Sequence, residues 1–380
     1  QLNDLGSSAA TFGGTLSNIR DLMLENIHAS AATPVFTGLT LRNLALNYTA
    51  AAISMPALSF TGTATLTSGS TIGQSGVLSG PSLVTTSVGG TTLNSANTLS
   101  SFTATNTGAG NIALTNTAAP LTLAGITQNT GNIIINNTGA LTLSGALSTA
   151  ANGTISLTSS GTQTLDSTIT AGGSGTVTLS ATGGSSDILV NATVASTSGA
   201  ISATAGRNLT LSTGSITTSN NISLTGTGTV SETGAGLLSG ALLTTNSVGG
   251  TTLNAANTIS SFNATNASSG DIALTNTGAL AITGISQTVG NLTIANSGAI
   301  TQSGVITVNG SGKTATIGAG AGNNITLNSA NDFATLAVSS GNNVAVTDSN
   351  ALILGASSIS GTFAATVGGQ LSQNGVLNIS

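Results

Sequence analysis

The chain has 380 residues, with four basic and nine acidic side chains, one His, no Cys and no Trp, and a formal net charge of −5. Charged residues make up 3% of it, against about 25% in a typical soluble domain. Four scattered cations cannot form a phosphate-binding footprint, no thiolate is available for metal or redox chemistry, and titratable groups are too few for an ordinary active site.

Nucleic-acid binding, a metal centre, a cofactor and enzymatic activity are therefore not expected. Disorder is not expected either, because disordered chains combine low hydropathy with high charge. This chain is 39% hydrophobic with a mean hydropathy of +0.37. Its apolar residues come in short bursts, too short for a membrane-spanning helix, so membrane insertion is not expected. The N-terminal Gln1-Leu2-Asn3-Asp4 lacks the basic and apolar segments of a signal peptide, which reads as a cytosolic or a processed chain.

Residues 1–65 are atypical. They hold Asp4, Arg20, Asp21, Glu25, Arg42, both methionines, His28 and Tyr48. Residues 15–28 fit an amphipathic helix with Leu16, Ile19, Met23 and Ile27 on one face. Strands fit better, because Asp21–Ile27 aligns with Gly38–Leu44. That alignment pairs Asn26 with Asn43 and Glu25 with Arg42 on neighbouring coils. The segment is expected to be a set of atypical coils that caps the fold or meets a partner.

Residues 66–380 repeat at two scales. Residues 87–116 and 247–276 are near-copies, with Val88 matching Val248 and Phe102 matching Phe262. The duplication spans about 74–150 and 234–308, and downstream Ile126 meets Ile285. A weaker third copy starts at about 326, where Thr326–Asn331 matches Thr92–Asn97. On the short scale, bursts such as those starting at Ile112, Ile133, Ile155 and Val177 recur about every 21 residues. Their apolar/polar alternation puts every second side chain on one face of a strand, and Thr-Gly and Ser-Gly supply the corners. Short strands with glycine corners at this period predict a β-solenoid, an all-β parallel β-helix. At one coil per ~21 residues it would have roughly 17–18 coils, forming a rod on the order of 80–90 Å long. Stacked coils place like residues over like, which favours Asn and Thr ladders and disfavours stacked charges.

Motifs such as Gly110–Thr117, Thr138–Gly145 and Gly298–Val305 resemble the repeats of filamentous-haemagglutinin-like proteins, which are bacterial surface adhesins and exoproteins. The resemblance covers about residues 65–380. It implies a right-handed parallel β-helix, located extracellularly on a bacterial cell surface, with adhesive or structural work. The family's N-terminal secretion domain and C-terminal barrel strands are not seen in this sequence, which reads as a processed product, a fragment or an assembling subunit.

The acids Asp166, Asp187, Glu232, Asp271, Asp332 and Asp348 lie far apart in sequence. Asp166 and Asp187 are about one coil apart and are the pair that a polysaccharide-cleaving β-helix would need. They read instead as solvated corner residues. Thr-x-Thr segments at Thr63, Thr103 and Thr115 raise an ice-binding solenoid, but uneven coil lengths would break the flat ranks that ice requires. The expected function is a non-enzymatic adhesin stalk, or the subunit of a surface fibre that grows by end-to-end coil stacking. Its partner would be itself, or a host-surface or polysaccharide ligand. Asn26, Asn43, Glu25, Arg42, Phe102 and Phe262 are the expected ladder positions. Leu377 and Ile379 are the residues expected to meet the 1–65 region of a neighbouring copy.

Overall fold

The computed structural model describes residues 2–4, 19–36 and 39–380, with only the backbone described for 2–4. The fold is an all-β parallel β-solenoid of about 17 turns of ~21 residues. Among the described residues there is no helix, and no segment is a candidate membrane-spanning helix. The chain divides into two compact units. One comprises residues 1–186 and 192–200, and the other comprises 187–191 and 201–380.

In the first unit the recurring bursts stack in register. Ile112 pairs with Ile133, Ile133 with Ile155, and Ile155 with Val177. In the second unit Ile201 pairs with Ile222 and Ile272 with Leu292. The alternation read from the sequence is the alternation of burial. In Ile133–Asn137, for example, Ile133 and Ile135 point inward, Ile134 and Asn136 do not, and Asn137 is buried at the strand end. Branched Cβ atoms suit the pleat, and each fully buried aliphatic side chain contributes about 1.5–3 kcal/mol. The core of each unit is therefore a column of Leu, Ile and Val, with Phe102 and Phe262 fully buried in their respective units. Phe102 stacks between Leu83 and Leu123, and Phe262 between Leu243 and Ile282.

The duplicated segments adopt the same structure. Thr91–Asn106 and Thr251–Asn266 are both 16-residue strands with nearly identical burial patterns. Ala104 pairs with Ile126 and Ala264 with Ile285, so the sequence alignment across the deletion matches the structural register. A register jog falls between Leu93 and Asn97, between Leu253 and Asn257, and between Leu327 and Asn331. The extra residues in each jog form a bulge, which bends the strand and re-aims a side chain. The sequence common to all three is Leu-Asn-(Ser/Ala)-Ala-Asn.

The N-terminal register differs from expectation. Asp21–Asn26 is a strand, as preferred over a helix, but it pairs with Asn43–Tyr48 so that Asp21 faces Asn43. Glu25 is opposite Asn47 rather than Arg42, and Asn26 is opposite Tyr48 rather than Asn43. A bend at Arg42 separates the short strand Thr40–Leu41 from Asn43–Tyr48, so residues 40–44 offer no continuous edge, whereas Asn43–Tyr48 pairs with all six residues of Asp21–Asn26 and sets Leu22 over Leu44 and Leu24 over Leu46. Leu16, Gly38 and the remainder of 5–18 lie outside the described residues.

Candidate functional site

The polar side chains that alternate with the core are used mainly between coils, in three recurring arrangements. The first runs along a solvent-facing corner. Asn111 Oδ1 accepts the N–H of Asn132 at 2.9 Å, and Asn132 Oδ1 accepts that of Thr154 at 2.9 Å. Asp187, Asn208 and Thr229 repeat this at 3.0 Å for both bonds. Asp271, Asn291 and Thr314 follow at 2.8 and 3.1 Å, and Asn324, Asn343 and Thr362 at 3.2 and 3.1 Å. In the first coils Asn43 donates its Nδ2 to Asp21 Oδ1 and accepts the Thr63 N–H, each at 2.8 Å. Each run starts on Asp or Asn and ends on Thr.

The second arrangement is buried at strand ends. Asn116 Nδ2 donates to Asn137 Oδ1 at 3.0 Å, and Asn276 Nδ2 to Asn296 Oδ1 at 3.0 Å. Asn116 Oδ1 also accepts the Leu99 N–H, and Asn276 Oδ1 the Ile259 N–H, both at 2.8 Å. These amides satisfy backbone groups that the bulge removes from the strand ladder. A buried polar group left unsatisfied would cost about twice what a made hydrogen bond contributes.

The third arrangement is a clamp. Gln74 and Asn97 exchange two amide hydrogen bonds of 3.0 Å, and Gln74 Nε2 also donates to the Gly76 carbonyl at 2.5 Å. Asn97 Oδ1 accepts the Leu78 N–H at 2.9 Å. Gln302 and Asn331 make the same exchange in the second unit, where Gln302 Nε2 reaches the Gly304 carbonyl at 2.7 Å and Asn331 Oδ1 accepts the Ile306 N–H at 2.9 Å. Asn257 Oδ1 likewise accepts the Leu238 N–H at 2.7 Å, but its partner across the clamp is Glu232. Gln373 repeats the inner bond, donating to the Gly375 carbonyl at 2.7 Å. The bulge positions the Asn, and a Gln-x-Gly turn, or the Glu-Thr-Gly turn at Glu232, positions its partner.

Several charged side chains also join coils. Arg42 reaches Asp21 with Nε at 2.8 Å and with Nη2, and Arg20 contacts the same carboxylate at 3.2 Å. The Arg42 guanidinium holds the Asp21 carboxyl below its usual range. Arg207 makes the same fork onto Asp187, whose carboxyl is lowered by that hydrogen bond. Burial raises Glu232, which is 8% exposed, and raises Asp348.

The expected ladder residues thus take different roles. Arg42 and Asn43 both bind Asp21, whereas Asn26 caps its own turn by accepting the His28 N–H at 2.8 Å. Asn47 donates to Glu25 at 3.4 Å. Phe102 and Phe262 are core, and Leu377 and Ile379 lie on a strand that pairs with Ser357–Ile359, with Ile379 half exposed. Asp166 is exposed in the first unit, and Asp187 in the second is engaged by Arg207 and Asn208. Outward ranks mix residue types, as in Thr115, Asn136, Thr158 and Ser180. The clamp was not foreseen from the sequence. Its signal was present in the recurrence of Gln-Ser-Gly ahead of Leu-Asn-Ser-Ala-Asn.

These arrangements define a class, the repeat solenoid whose coils are joined by side-chain ladders. A family described as "Repeats of unknown function (DUF5649)" matches residues 269–340 and 341–380. Each matched block contains one Gln-x-Gly turn, at Gln302 and Gln373. Comparison with curated proteins and with solved structures gave no significant match.

Proposed function

We propose that the chain is a non-enzymatic structural protein of a bacterial cell surface, working outside the cell as a stiff spacer. It would serve as the stalk of an adhesin or as the subunit of a self-assembling fibre. The observation that carries this reading is the use of its polar groups. Amides, hydroxyls and ion pairs bridge successive coils, so the chemistry of the sequence goes into joining one coil to the next. The resemblance of residues 65–380 to filamentous-haemagglutinin-like repeats supports the location and the adhesive role.

Self-association has a physical motive. A net charge of −5 offers little repulsion. In the fibre form the strand Leu377–Ile379 meets the 1–65 region of a neighbouring copy. In the stalk form the N-terminal coils, which expose Met23, Ile27 and Val35, would contact a host-surface or polysaccharide ligand. Electron microscopy of the purified chain separates the two. Filaments that lengthen with concentration are expected for the fibre, and dispersed short particles at high concentration would overturn it in favour of the stalk. Release of sugars from a polysaccharide by the purified chain would overturn the non-enzymatic reading itself.

A further inference from the structure

Three clamps share one geometry, but one of them carries an acid where the others carry an amide. In the Gln302 clamp, Oε1 accepts the Ser329 N–H at 3.3 Å and the Asn331 Nδ2–H at 3.2 Å, while Nε2 donates to the Gly304 carbonyl and to Asn331 Oδ1. In the Glu232 clamp, Oε2 accepts the matching bonds, from Ala255 N–H at 2.9 Å and Asn257 Nδ2–H at 3.3 Å. Glu232 Oε1 stands in the role of the glutamine Nε2, is buried, and has no hydrogen-bond partner. The glutamines donate with that atom, at 2.5 Å in Gln74 and 2.7 Å in Gln302 and Gln373, and a carboxylate has no proton to donate.

We propose that Glu232 is a pH-sensitive latch between two successive coils of the second unit. As the neutral acid its O–H takes the place of the glutamine N–H, and the clamp is complete. As the carboxylate it puts a charge among acceptors, and the hold on the Leu-Asn-Ala-Ala-Asn bulge weakens. Nothing charged offsets that ion. Its hydrogen-bond partners Ala255 and Asn257 are uncharged, and the neighbouring strands Leu209–Leu211, Leu238–Ser247 and Thr251–Asn266 carry no titratable side chain. Burial favours the neutral form, in agreement with this arrangement.

A second acid stands at a cognate amide position. Asp348 faces Asn331 as Asn116 faces Asn97, and its Oδ2 accepts the Phe333 N–H at 2.8 Å. It differs in having both oxygens bonded, the second by Asn350 N–H at 3.1 Å, and in facing the negative Asp332. Any pH response must therefore be divided between the two acids.

The sign follows from linkage. A raised folded-state value means that the folded chain holds the proton longer, so stability is full below the unfolded glutamate value. It falls as pH rises from there through the raised value. The test compares thermal unfolding of the full chain, Glu232→Gln, Asp348→Asn and the double variant between pH 4 and 8. Glu232→Gln should match the parent at pH 4 and unfold at a higher temperature at pH 8, by on the order of a few degrees. The reciprocal Gln302→Glu should acquire the same pH dependence. A Glu232→Gln difference that does not change with pH overturns the latch. A second readout does not depend on any variant's stability. The chain has two glutamates, Glu25 and Glu232. Carbon NMR of Cδ-labelled glutamate therefore shows two titrations, assigned with Glu232→Gln. A Glu232 midpoint above the ordinary glutamate range is expected, and one within or below that range overturns the proposal.

Discussion

Asn97 shows how much one amide does here. Its Oδ1 takes the Leu78 N–H and one Gln74 hydrogen, while its Nδ2 lies within bonding distance of Gln74 Oε1 and the Thr115 carbonyl. Asn97→Ala would leave the buried Leu78 N–H without its partner and would remove both bonds that Gln74 makes to Asn97. We expect it to destabilise by about 1–3 kcal/mol in urea unfolding. Phe102→Ala and Phe262→Ala should each cost about 3–5 kcal/mol by the same measurement, because neither ring is exposed and truncation leaves a cavity between the flanking coils. Asp187 has a pH dependence opposite to that of Glu232. Its lowered value means that the Arg207 fork stabilises the fold above the ordinary aspartate range and is lost as pH falls through the lowered value. Asp187→Asn should therefore lower the unfolding temperature at pH 7 and lose that effect in strong acid. At this scale the sequence was readable in kind but not in pairing. Identical residues on stacked coils implied amide ladders, yet which Asn meets which partner depends on local bulges.

The strands were legible because alternation and branched Cβ atoms leave a direct pattern, as at Ile155–Ser159. The bulges were not, since Leu-Asn-Ser-Ala-Asn alternates nearly as a plain strand would. The N-terminal pairing was misread for a related reason. Matching Glu25 to Arg42 satisfies charge, but Arg42 sits at a bend between two strands, whereas Asn43–Tyr48 pairs over its full length with Asp21–Asn26 and Arg42 still gains a carboxylate, that of Asp21. Six continuous strand pairings outweigh one exposed ion pair. The corners are a further element with little tolerance. Gly110 has φ +103, and a Cβ there would collide with the Gly89 carbonyl. Gly270 occupies the matching corner at φ +77. Gly110→Ala should lose at least about 1 kcal/mol, read from the urea midpoint with an unchanged slope.

For the whole molecule, the period of ~21 residues was enough to give the architecture, because a coil that cannot close its own core must stack. The function class was less accessible, since several acids, such as Asp187 and Glu232, are engaged between coils. Locality has a measurable result. In a solenoid each coil contacts only its neighbours, so damage spreads along the stack rather than through a common core. Phe102→Ala should speed amide exchange in the strands that hold Leu83 and Leu123 and leave those around Phe262 unchanged. Uniform acceleration would mean that the chain unfolds as one cooperative body.

The corner runs have a further consequence, for how such a chain can lengthen or shorten. Each run starts on Asp or Asn, passes through Asn and closes on Thr. Thr ends it because its shorter side chain does not pass the bond on. The run therefore acts as a reading frame of three coils. Removing residues 111–175 as a block, three whole coils, would leave no corner amide short of its N–H, whereas cutting between Asn132 and Thr154 would leave one facing a foreign edge. Recombination of coils should be tolerated at the Thr boundaries and selected against within a frame.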